Sequence, residues 1–189
     1  ALNMLLERRA QTIGLLTTKG FRDVLEIARQ IRPHLYDYEV TRPEPLARRA
    51  HRIEIPERVA VDGHVLTPLD LEAVEEGATR LREAGVDAVA ICFLHAYRFP
   101  DHERKAGEIV RRILPNAFVS LSSDVLSEFR EYERSSTTAV NAYIGPRMKS
   151  YIGQFDNRIK KTGVERHPYI IHSNGCLLYT SPSPRDQSG

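Results

Sequence analysis

The run Ala88-Val-Ala-Ile-Cys-Phe-Leu94 is apolar throughout, and it restricts the fold more than any other stretch of the chain. It is far shorter than the roughly 20 residues a bilayer span requires, and it has the length of a buried strand. Asp87 is the lone polar residue between Val86 and Leu94, so both faces of this strand are expected to be covered, as in the interior of a parallel sheet. Its flanks agree. Upstream, Asp70 is placed to cap a helix whose apolar face is Leu71, Val74, Ala78, Leu81 and Ala84, and Gly85 is placed to end it. Downstream, Asp101 is placed to cap a helix with Ala106, Ile109, Val110, Ile113 and Leu114 inward, closed by Pro115. Ala117-Phe-Val-Ser-Leu121 then reads as a second strand. This strand–helix–strand rhythm predicts parallel strands joined by a crossover, an α/β fold.

The remaining segments are read around that unit. Thr12 to Thr17 has the pattern of a short strand, and Gly20 leads into a helix with Phe21, Val24, Leu25, Ala28 and Ile31 on one face, stopped by Pro33. Residues 33–69 contain prolines at 33, 43, 45, 56 and 68, with β-like pieces such as Arg52-Ile-Glu-Ile55. The Asp62-Gly63 pair inside Val61–Val65 is a hairpin signal. This stretch is expected to be an irregular, β-rich excursion. Beyond Ser122, residues Val125, Phe129, Tyr132, Ser136, Ala139, Val140 and Tyr143 predict a long helix, which Gly145-Pro146 is expected to interrupt. Met148, Tyr151, Ile152, Phe155 and Ile159 continue a second segment, and Pro168–Ile171 reads as a strand leading to a Ser173-Asn-Gly175 turn. The expected organisation is most of one α/β domain over 1–122, the start of a second over 123–175, and a non-native or disordered tail over 176–189. Because Ala1 stands where a methionine would, and the second unit breaks off after one strand, the chain is expected to be a fragment.

Charge excludes some functions. The 27 basic and 25 acidic side chains are interleaved and leave a net charge of +2, so no dedicated nucleic-acid surface is expected. No membrane segment is expected either. Glu7, Arg8 and Arg9 fall where a signal peptide needs an apolar core, and Cys92 and Cys176 make no disulfide framework, which points to a reducing cytoplasm. There is no Walker pattern, no GxGxxG, no GxSxG and no metal-binding spacing of His or Cys. Spacing alone therefore names no reaction.

Three local features remain open. His95, Tyr97 and Arg98 follow the buried strand, where α/β sheets gather ligands; alternatively His95 and Tyr97 make hydrogen bonds that fix the connection to the next helix. In Glu128–Thr138, Glu131 with Arg134 and Arg130 with Glu133 are spaced for ion pairs on an exposed helix side. The run Ser135-Ser-Thr-Thr138 fits either close helix packing or a polar surface facing a cleft. Ser173-Asn-Gly175 is either a plain turn or a donor of backbone N–H groups.

Many residues also resemble the hydantoinase A / 5-oxoprolinase family. They include Leu5–Arg8, Leu16–Ile27, Arg29-Gln30, Arg32-Pro33, Leu35–Asp37, Pro68–Asp70, Gly85–Ala90 and Leu94–Arg98 with Pro100, His102 and Glu103. Phe129–Arg134, Thr137-Thr138, Asn141-Ala142, Gly145-Pro146, Met148 and Ser173–Gly175 complete the set, covering residues 1–175 in order. The resemblance implies an enzyme that couples ATP hydrolysis to opening a cyclic amide such as a hydantoin or 5-oxoproline. Related carboxylase subunits act on acetone or acetophenone. The implied fold is an incomplete actin/sugar-kinase-like ATPase N-terminal domain followed by the helical start of a second α/β domain. The implied cofactors of the parent protein are ATP and Mg²⁺, and the implied partner is a hydantoinase B-type subunit or fused domain. The family's DxGGTFTD and GGTSTD phosphate turns do not occur here, and Cys176 stands where the SNGG turn has its second glycine. Catalytic residues are not assigned, and the fragment alone is expected to be inactive. Cleft candidates are Thr17, Thr18, Arg29, His95, Tyr97, Arg98, Arg130, Arg134, Thr137 and Thr138. The competing readings are an ATP-dependent carboxylase subunit and a non-catalytic scaffold.

Overall fold

A computed structural model describes residues 2–7, 11–31, 39, 43–161, 170–171 and 177–179. The chain divides into two compact units, Ala1–Pro146 and Arg147–Gly189.

In the first unit, after a short helix α1 (Leu2–Glu7), four strands form one parallel sheet in the order β2-β1-β5-β6. These are β1 (Ile13–Thr18), β2 (Arg52–Ile55), β5 (Ala88–Cys92) and β6 (Phe118–Leu121). Leu16 pairs with Ile53 on one side and Ile91 on the other, and Ile91 pairs with Leu121. Every residue of β5 is buried, as the apolar run requires. Its side chains alternate by size as well as by face. Val89, Ile91 and Phe93 pack with Leu16, Ile53 and Ile55 under helices α3 (Leu71–Glu83) and α4 (Asp101–Ile113). Ala88, Ala90 and Cys92 point the other way, toward Ala139, Ala142 and Tyr143 of α6 (Glu131–Lys161). The small side chains on that face let the α6 backbone approach the sheet closely. On the other face, Val74 and Leu81 are fully buried, and each such side chain contributes about 1.5–3 kcal/mol.

Helix α3 has the predicted ends. The Asp70 carboxylate accepts from the Ala73 N–H at 3.0 Å, and Gly85, at φ +67°, supplies the left-handed residue that closes the helix. Val86 N–H then donates to the Leu81 carbonyl at 3.1 Å. The Asp62-Gly63 signal also holds: β3 (Arg58–Val59) and β4 (Val65–Thr67) pair antiparallel around it, with Gly63 at φ +93°.

The β-like piece expected at Arg52–Ile55 is strand β2, and its Ile53 and Ile55 belong to the core despite the prolines around them. Four expectations need correction. Residues 21–31 form only a single turn, α2 (Val24–Ile27), which stops where Ala28 and Gln30 turn to positive φ. At its start the Asp23 carboxylate makes no cap and is held by Arg49 at 3.0 and 3.1 Å. Asp101 is the first residue of α4 rather than its cap, a position taken by Pro100. The long helix does not begin near Val125; a short α5 (Ser122–Val125) comes first, and Leu126 turns extended before α6 starts at Glu131. Finally, Gly145-Pro146 does not interrupt α6, which runs for 31 residues with Pro146 inside it. Proline's fixed φ is itself helical, so the helix continues through it at the loss of the backbone bond to Ala142 and with the ring crowding that carbonyl, and Gly145 fits where a Cβ would overlap the Phe118 ring.

In the second unit, Tyr151 and Phe155 stack on the later turns of α6, and Lys160 pairs with Asp156 at 2.7 Å. The short strands β7 (Ile170–Ile171) and β8 (Leu177–Tyr179) pair antiparallel. The Ser173-Asn-Gly175 turn lies outside the described residues.

Candidate functional site

All four sheet strands run parallel, so their carboxyl ends open on one edge, and the buried polar groups gather there. Thr18 ends β1. Its hydroxyl donates to Glu57 and accepts from the Leu94 N–H at 2.9 Å, which ties β1 to the segment after β5. The second Glu57 oxygen faces His102 Nδ1 at 2.7 Å. Glu57 and His102 are both buried, so the carboxylate has its countercharge when the imidazole is protonated. Next to them, Glu103 accepts from the Phe93 N–H at 2.9 Å, the Ser123 N–H at 2.9 Å and the Ser122 hydroxyl. That one carboxyl joins the ends of β5 and β6. Burial pushes its pKa up, and these hydrogen bonds oppose the shift without cancelling it.

Arg134, on the first turns of α6, is also fully buried. Its Nη2 donates to the Phe93 carbonyl at 2.7 Å, its Nη1 to the Glu128 carbonyl at 3.1 Å, and its guanidinium lies 5.5 Å from the centre of the Tyr97 ring. The next residue, Ser135, donates to Cys92 Sγ at 3.1 Å, and a turn further on Thr138 donates to the Arg134 carbonyl at 2.7 Å. Burial pushes the Cys92 thiol pKa up, while the nearby Arg134 charge pulls it down less strongly.

Backbone strain collects at the same edge. Among the described residues, Ala28, Gln30, His95 and Arg130 are the non-glycine residues with positive φ, and each lies in a connection leaving a strand's carboxyl end. Such residues cost on the order of 1–3 kcal/mol each and cluster where function requires a particular geometry.

Of the sequence candidates, Thr17, Thr18, His95, Tyr97, Arg134 and Thr138 lie at this edge, all of them buried or partly buried. His95 Nδ1 donates to the Val59 carbonyl at 2.8 Å, and its ring meets Tyr97 edge-on. That is the connection-fixing arrangement. Arg98 stacks over Phe99 and Arg130 over Phe129, both with exposed residues. Thr137 is exposed. The expected ion pairs within the helix do not form. Arg130 precedes α6, Arg134 points inward, and Glu133 pairs with Arg29 across the connection. Of the Ser/Thr run, Ser135 and Thr138 are buried, which fits close packing. Glu57 carried no sequence signal, since its partners Thr18 and His102 are 39 and 45 residues away.

A larger cavity of about 280 Å³ opens at the opposite edge, among Gln11, Thr12, His51, Asp87 and Tyr143. It lacks the buried charge network and the strained backbone of the carboxyl edge. For metal, no group of three or more His, Cys, Asp or Glu is placed to hold an ion among the described residues, and no glycine-rich phosphate loop occurs in the chain.

A parallel sheet with layers on both faces and a buried polar network at its carboxyl edge defines an α/β domain, an architecture in which ligands, where bound, sit at the strands' carboxyl ends. Sequence comparison gives the family. The profile of the hydantoinase/oxoprolinase N-terminal region matches residues 1–114, and that of hydantoinase/oxoprolinase matches residues 134–186. The chain belongs to the hydantoinase/oxoprolinase family. It is 38% identical to caprolactamase subunit alpha of Pseudomonas jessenii, over 94% of this chain and 26% of that protein. It is 33% identical to 5-oxoprolinase 1 of Arabidopsis thaliana, over 94% of this chain and 15% of that one. The crystal structure of the ATP-dependent caprolactamase from Pseudomonas jessenii superposes with a TM-score of 0.86, covering 93% of this chain and 26% of the other. An acetone carboxylase structure, at 24% identity and a TM-score of 0.84, covers 94% of this chain and 27% of its own, and shares the fold. The chain thus spans about a quarter or less of these relatives.

Proposed function

We propose that this chain is part of an ATP-dependent enzyme that opens cyclic amides of the lactam, hydantoin or 5-oxoproline type. The observation that carries this reading is the joint match to the caprolactamase: 38% identity together with a TM-score of 0.86. The acetone carboxylase likeness, at 24% identity, supports the fold and not the reaction. A lactam carbonyl is a poor electrophile, and phosphorylating its oxygen converts that oxygen into a leaving group. ATP provides this activation in the proposed reaction, with Mg²⁺ to neutralise phosphate charge. The residues described here contribute a rigid sheet edge, in which Glu57, His102, Glu103 and Arg134 are positioning residues. A partner subunit or fused domain completes the enzyme in this reading, consistent with the caprolactamase relative being a subunit. The proposed domain division is 1–122 and 123–175.

The test uses the full-length polypeptide containing this sequence, purified with its partner. ATP-dependent formation of the ring-opened amino acid from caprolactam, N-methylhydantoin or 5-oxoproline is expected. Bicarbonate-dependent ATP turnover with acetone or acetophenone, and none with the cyclic amides, would assign it to the carboxylases instead.

A further inference from the structure

Residues 28–31 are where the sequence and the backbone disagree most. Phe21, Val24, Leu25, Ala28 and Ile31 continue one helix face almost to Pro33, and Ala28, Arg29 and Gln30 are all good helix formers. The helix nevertheless ends at Ile27. Ala28 takes φ 49° and ψ −141°, and the Gln30 N–H donates to the Ile27 carbonyl at 3.2 Å. That is the backbone of a type II′ turn with alanine in the place that glycine dominates. Gln30 follows at φ 55°. Side-chain-bearing residues persist in such backbone only where their surroundings impose it.

The segment is held unequally along its length. Before the turn, Leu25 is buried, Glu26 pairs with the buried Arg52 at 2.8 Å, and Asp23 pairs with Arg49 at 3.0 Å. In the turn itself the hold is the solvent-accessible ion pair of Arg29 with Glu133 of α6. Pairs of that kind stabilise weakly and are screened by salt, so this one offsets little of the strain. Ile31 is meanwhile 68% exposed. Beside Leu25 lies a groove of about 160 Å³, lined also by Pro43, Leu46, Tyr132, Ser136 and Ala139. It has room for several water-sized atoms. On a continued helix, steps of three carry the face that Leu25 buries through Ala28 to Ile31.

We propose that residues 28–31 are a two-state strap at the carboxyl edge of the sheet. One state is the turn seen here, latched by Arg29 on Glu133. In the other, α2 runs on through Ile31, Arg29 leaves Glu133, and the Ile31 side chain fills the groove beside Leu25. The exchange trades an ion pair and strained backbone for helical hydrogen bonds and an apolar contact, so the two states lie close in free energy. A ligand or neighbouring domain that takes Arg29 or Glu133 from its partner favours the helical state. The strap does not depend on which reaction the longer relatives catalyse.

The experiment is NMR relaxation dispersion and saturation transfer on the ¹⁵N,¹³C-labelled 189-residue chain, read at residues 28–31. Exchange with a minor state is expected on the microsecond-to-millisecond scale, and its ¹³Cα and carbonyl shifts should be those of a helix. Ala28→Gly favours the turn and disfavours the helix, and is expected to lower the minor population several-fold. Glu133→Gln cuts the latch and is expected to raise it several-fold. Ile31→Ala keeps helix propensity but removes the side chain that fills the groove, and is expected to lower it. All three positions lie outside both core clusters, so the variants retain the fold. Absence of exchange at 28–31 in both the wild type and Glu133→Gln overturns the proposal. A minor state without helical shifts, or a population unmoved by Ile31→Ala, overturns it too. So does a population that Ala28→Gly and Glu133→Gln both leave unchanged.

Discussion

Glu103 concentrates the physics of the carboxyl edge in a single side chain. It is fully buried with no cation bonded to it, and burial raises its pKa although three donors surround it. A carboxyl with a raised folded pKa binds its proton more tightly in the fold than in the unfolded chain. Its contribution to stability is therefore complete below the unfolded value and is lost as pH rises through the folded one. Glu103→Gln, which cannot ionise, should remove that dependence. Urea unfolding over a series of pH values should show the variant gaining on the wild type as pH rises above the ordinary carboxylate range. A wild-type minus variant difference that stays flat with pH would show that the carboxyl titrates normally. Residues of this kind were only half legible in the sequence. Glu103 and His102 stand in a family-like stretch, but Glu57 finds Thr18 and His102 only through the fold, and no local pattern links positions 39 or 45 residues apart.

At the scale of elements, periodicity identified what the core decides and missed what local backbone geometry and close packing decide. Helix α3 and strand β5 appeared as read, because Val74, Ala78, Leu81 and the whole of β5 are buried. Helix α2 stops after one turn where Ala28 and Gln30 take positive φ, a turn invisible to a helical wheel. Gly145-Pro146 read as a break because both residues disfavour helix, whereas packing against Phe118 makes the absence of a Cβ at 145 an advantage. Gly145→Ala should therefore destabilise the fold, by about 1–3 kcal/mol from overpacking, even though alanine gains roughly 1 kcal/mol of helix propensity. Phe118→Leu introduced into Gly145→Ala should recover part of the loss. Chemical denaturation of the two single variants and the double variant checks this; strictly additive effects would mean that the residues do not press on each other.

For the molecule as a whole, the parallel α/β class was legible from Ala88–Leu94 and its two flanking helices, since a strand buried on both faces needs cover on both. The piece at 52–55 read as β-like, but its place beside β1 in the parallel sheet was not legible, because so short a strand carries no sign of its pairing partner. Family membership was carried by many residues spread in order along the chain, and two family profiles match it. This chain spans about a quarter of the caprolactamase relative, and the activity proposed for it is that of the longer relatives. The most direct measurement is a transplant: residues 1–161 replace the matching segment of caprolactamase subunit alpha, co-expressed with the rest of that enzyme. ATP-dependent opening of caprolactam by the assembled chimera is the predicted result. A folded, assembled chimera that turns over ATP with bicarbonate and a ketone, and not with caprolactam, would contradict it.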